Sequence, residues 1–72
     1  MSSLLAILSE RYGVGLLAAP AVAVIWAAEF MAAEHGADAA RKALATANRK
    51  REKAGVIPAY VPYGRLLFGG RR

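Results

Sequence analysis

Residues 12 to 28 read Tyr12-Gly13-Val14-Gly15-Leu16-Leu17-Ala18-Ala19-Pro20-Ala21-Val22-Ala23-Val24-Ile25-Trp26-Ala27-Ala28, 17 positions without a formal charge. As one helix they would span about 25 Å, short of the roughly 30 Å hydrocarbon core of a bilayer. Leu16, Leu17, Val22, Val24, Ile25 and Trp26, continued by Phe30 and Met31, fall on every side of such a helix. A helix apolar all round is buried all round, by protein or by lipid. Gly15, Ala19, Ala23 and Ala27 recur every four residues and form a smooth stripe along which a second backbone can approach closely. With Trp26 and Phe30, that stripe is the expected self-association surface. Pro20 removes one backbone hydrogen bond and is expected to bend the axis, a distortion that surrounding chains can accommodate.

Working outward, Ser2 or Ser3 can cap a helix whose first turns hold Leu4, Leu5, Ile7 and Leu8, so helix one is expected over about residues 3–34. His35, Gly36 and Asp38 form a stop-and-restart signal, a turn at 35–38 with Gly36 as left-handed cap and Asp38 capping the next helix. So short a turn favours an antiparallel hairpin. The second helix is expected over about 39–53. It carries Lys42, Thr46, Arg49 and Lys53 on one stripe, with Ala40, Ala43, Ala47 and Ala54 on the opposed face, shaped to fit the smooth stripe of helix one. In residues 55–72, Pro58, Pro62, Gly64, Gly69 and Gly70 break any helix and separate apolar residues such as Ile57, Tyr60, Leu66 and Phe68. An extended arm or loose hairpin packed on a neighbour is expected there. The fold class predicted is all-α: a two-helix antiparallel hairpin with an extended C-terminal arm, one domain over 1–72, and an obligate assembly subunit.

The need for partners follows from size. A chain of 72 residues buries a modest fraction of its surface, and no cysteine is present to staple it. His35 is the only histidine, which excludes a structural zinc site of the usual kind. The hydrophobic fraction, 57%, exceeds the ordinary value of about 45 to 50% and is largely alanine, which suits closely packed helices. A secretory signal is not expected, because the Glu10-Arg11 pair interrupts the apolar residues near the start.

Nothing in the sequence carries enzyme chemistry. Gly13-Val14-Gly15-Leu16-Leu17-Ala18 matches a dinucleotide-binding pattern, but no strand precedes it and no room remains for that fold. Glu29 and Glu34, five apart, point in different directions on a helix. Glu29 is expected either in an interfacial salt bridge, with Arg11 or Lys42 across subunits, or at a solvated edge, and a place on a proton path is the sharper alternative. No nucleophile stands with a base, and neither cofactor nor metal is expected.

Charge is the most informative feature. Residues 1–36 carry one arginine against three glutamates, whereas residues 37–72 carry nine Lys or Arg against Asp38 and Glu52. The net charge is +5. Arg41, Lys42, Arg49, Lys50, Arg51 and Lys53, with Arg71 and Arg72 at the end, are the candidate nucleic-acid-binding residues, since phosphate contact calls for a stripe of cations nearly free of acids. Anionic lipid headgroups or plain solvent could face the same stripe. Asn48 is the only side-chain amide, so DNA binding would be independent of base sequence. Each copy would neutralise on the order of two to three base pairs.

Small size, absent cysteine, the stretch Gly-Leu-Leu-Ala-Ala-Pro-Ala-Val-Ala-Val-Ile-Trp-Ala-Ala, the turn at His35 to Asp38 and the Arg-Lys-Arg-Glu-Lys segment together resemble the major coat protein of bacilliform archaeal viruses, the clavaviruses. The likeness extends over the whole chain and contains no diagnostic motif. It implies a structural coat (capsid) protein of a virion, with many identical copies forming a helical rod around double-stranded DNA. The alternative is a single-span accessory subunit in a membrane, packed against lipid and the other subunits of a respiratory, ATP synthase or photosynthetic complex. Its basic half would lie on the negative side.

Overall fold

The expected first helix is divided. In the computed structural model, which describes residues 3–68, α1 spans Leu4–Ile7 and runs on as a wider π-helical turn over Leu8–Tyr12. After a non-helical interval come α2 over Ala21–His35, α3 over Ala37–Lys53 and the short α4 over Tyr63–Phe68. The chain is all-α, with no strand among the described residues.

Local chemistry explains the division. The Ser3 hydroxyl accepts the Ala6 N–H at 3.1 Å and starts α1. Gly13 then adopts φ 65° and ψ 26°, left-handed values that cost other L-residues about 1–2 kcal/mol, and its N–H donates to Leu8 O and Ser9 O. Pro20 lies outside the helix it was expected to bend. With φ −65° and ψ 154° it directly precedes α2, where its missing N–H is no loss, and its carbonyl accepts Ala23 N–H at 3.0 Å.

Gly36 alone connects α2 to α3, at φ 95° and ψ 156°. It also stands at the N-cap position expected for Asp38, which lies instead in the first turn of α3. There a carboxylate complements the helix dipole. Ala23, Val24, Ala27 and Ala28 of α2 are all buried, and the helix packs against α1, the π turn, α3 and α4. The expected all-round burial is therefore not reached: α2 buries one side, six of its 15 residues, and the cover comes from this same chain. Fully burying Leu8 and Val24 contributes about 1.5–3 kcal/mol each. The large apolar side chains left open on α2 form a stripe at four-residue steps, Val22, Trp26 and Phe30, and the helix end at Ala33, Glu34 and His35 is exposed as well. Tyr12 and Arg11 partly shelter the stripe, Tyr12 with its ring centroid 6.0 Å from that of Trp26, and Arg11 with its guanidinium carbon 4.0 Å from the Phe30 centroid.

The C-terminal segment also departs from expectation. Residues 56–62 are irregular, α4 follows, and the segment folds back on α2 and α3, burying Ala59 and Leu66.

Candidate nucleic-acid interface

The solvent face of α3 gathers most of the candidate cations, and one of the six does not belong to it. Arg41, Lys42, Arg49, Lys50 and Lys53 are exposed, whereas Arg51 is 2% exposed. The reason is angular. Ala40, Leu44, Ala47 and Arg51 follow one another at steps of four, three and four, so they share the buried side of the helix. Lys42, Arg49 and Lys53 lie opposite.

Arg51 is a structural centre. Its Nη1 donates to the carbonyls of Leu16 and Ala19, both at 2.7 Å, and its Nε and Nη2 donate to Ile57 O at 2.9 and 2.7 Å. One guanidinium thus ties the turn before α2 to the segment after α3, using the rigid fork that lysine lacks. Asn48 is engaged in the same way. Its Nδ2 donates to Ala59 O at 2.8 Å, and its Oδ1 accepts Ala59 N–H at 2.9 Å. Among the described residues no buried side-chain nitrogen or oxygen lacks a partner.

On the exposed face, Thr46, Arg49, Lys50 and Lys53 line a shallow cleft of about 210 Å³. The Thr46 hydroxyl donates to Lys42 O at 3.2 Å, which holds it against its own helix. Cations around a shallow cleft bind phosphate groups through charge and hydrogen bonds. They supply no shape for reading a base.

The remaining candidates are dispersed. Ala19, Ala23 and Ala27 are buried within the chain, so their smoothness serves contacts inside this subunit. Gly15 is exposed in the interval before α2, with open space where a Cβ would stand. Trp26 and Phe30 stay at the surface, 44% and 38% exposed. Arg71 and Arg72 lie outside the described residues. Glu29 is 7% exposed, and its Oε2 accepts a hydrogen bond from Arg65 Nε at 2.5 Å. Its partner is therefore an arginine of α4 in the same chain, in place of the expected Arg11 or Lys42 of a neighbour.

Among the described residues no three His, Asp or Glu side chains gather as a metal site. No described helix is long and apolar enough to cross a membrane, since the break at residues 13–20 leaves α2 with 15 residues, about 22 Å. No family model, curated protein or solved structure matches this chain.

Proposed function

We propose that this chain is a structural coat subunit that binds double-stranded DNA without sequence preference and assembles in many copies along it. The observation that carries the reading is the segregation of α3: five exposed cations occupy its outward surface while Arg51 is withdrawn into the fold. Against these five cations the exposed surface of α3 carries two acids, Asp38 and Glu52, and that excess of one sign favours a polyanionic partner. Engagement of Asn48 with Ala59 removes the sequence's one amide from any role in reading bases.

Assembly is supported by what the fold leaves uncovered. Val22, Trp26 and Phe30 on α2, with Tyr60 and Ile57 after α3, remain at the surface of a small chain. Neighbouring copies bury such residues in a coat. The chain has no enzymatic role in this reading, and its place is the virion.

The test is reconstitution. Purified chain mixed with duplex DNA should yield particles of many identical copies in which the DNA resists nuclease. Equal binding to anionic lipid vesicles with no nuclease protection would transfer the cationic face to a membrane surface and end the coat reading.

A further inference from the structure

Two exposed features lie on opposite flanks of α3, and they complement each other. One is a largely apolar groove of about 230 Å³ walled by Leu4, Leu5, Leu16, Ala43 and Ala47, with the exposed Ser3, Thr46 and Lys50 completing its lining. The other is Tyr60, 73% exposed. The backbone leading to Tyr60 is fastened to α3, because Arg51 holds the Ile57 carbonyl and Asn48 holds both backbone groups of Ala59. Beside the ring stands Glu52, whose Oε2 accepts the Tyr60 hydroxyl at 3.5 Å.

We propose that Tyr60 of one copy enters the groove of the next, with Glu52 of the first meeting Lys50 of the second. This rests on the coat reading and gives it a contact. Size permits it: a cavity of about 150 Å³ accepts a benzene ring, and the groove is larger. Charge favours it, because the aromatic projection carries an acid and the groove carries an ammonium group. Geometry decides the product. Lys50 and Glu52 are two residues apart on α3 and so point about 160° apart. The projection and the groove are different surfaces, which makes the contact head-to-tail, so copies add without closing in pairs. Lys42, Arg49 and Lys53 fall between these two flanks, outside the contact, and so stay open to DNA. At +5 per copy the chains repel one another, and the phosphates of a duplex relieve that repulsion.

The experiment follows filament growth of the full-length chain on long duplex DNA, by sedimentation velocity and negative-stain microscopy, beside binding to a short duplex by anisotropy. Tyr60→Ser should abolish filaments while leaving short-duplex binding unchanged. Glu52→Lys and Lys50→Glu should each weaken growth by about tenfold, the size of a close interfacial charge pair, and the double exchange should restore it. Glu52→Lys is the sharper single variant, because it adds positive charge and so strengthens DNA binding while blocking the contact. Mixing Tyr60→Ser with Leu5→Asp should give pairs that grow no further. Parental growth by Tyr60→Ser, or a double exchange as poor as its single variants, would overturn the contact. Loss of filaments on Trp26→Ser alone would assign the interface to α2 instead. A parent chain that binds DNA but never forms filaments would end the assembly reading together with this contact.

Discussion

Replacing Arg51 by lysine keeps the charge and removes the fork. The guanidinium makes four hydrogen bonds to three carbonyls, those of Leu16, Ala19 and Ile57. A lysine ammonium is a single point on a flexible stem, and at best it keeps the bonds on one side. Two bonds from a charged donor are then lost, each contributing about 1.5–3 kcal/mol, so the loss is about 3 kcal/mol at its smaller end. A chain of 72 residues has about 4–11 kcal/mol of stability in all. The melting temperature should fall by roughly 12–24 °C, because each kcal/mol moves it by about 4–8 °C at this size. Urea unfolding followed by circular dichroism is the assay, with Arg49→Lys as the exposed control, expected within about 0.5 kcal/mol of the parent. If Arg51→Lys unfolds within about 1 kcal/mol of that control, the guanidinium does not hold the turn and the C-terminal segment together.

Three further changes test other joints of the fold. Ala23→Leu should destabilise the isolated chain by about 1–3 kcal/mol through overpacking of buried α2, and an unchanged urea midpoint would mean that this face is loosely packed. Gly13→Ala should lose about 1–2 kcal/mol because φ is 65° there, and no loss would show the left-handed bend to be dispensable. Glu29→Ala should weaken the hold on α4 by about 1 kcal/mol, a small figure because Arg65 is half exposed and can return to water. Amide exchange at Leu66 is the local readout, and unaltered exchange would mean that the pair does not fasten α4.

The sequence made the second half of the fold more legible than the first. α3 begins two residues before its expected start and ends at the expected Lys53, because Gly36 and Gly55 punctuate a strongly amphipathic run. The break over residues 13–20 is less legible, since Gly13, Gly15 and Pro20 are also tolerated as kinks in a packed helix. What decides is the left-handed φ of Gly13, and composition alone does not reveal it. Arg51 has the same side chain as Arg49, and the basic cluster hides its separate role. A signal was present, because Arg51 continues the four-three-four spacing of Ala40, Leu44 and Ala47. Its partners at Leu16, Ala19 and Ile57 are backbone carbonyls, which every residue offers and no pattern marks. The same holds for Asn48 with Ala59, so no pattern in the sequence marks the fold-back of residues 56–62.

The cationic face of α3 is tested most directly by the salt dependence of binding to two duplexes of unrelated sequence. With Arg41, Lys42, Arg49, Lys50 and Lys53 in contact with phosphates, the logarithm of affinity should fall with the logarithm of salt at a slope of about −4.5, and equally for both duplexes. The triple variant Lys42→Gln, Arg49→Gln and Lys53→Gln should flatten that slope by about 2.7. A slope untouched by the triple change, or a strong preference for one duplex, would contradict the account.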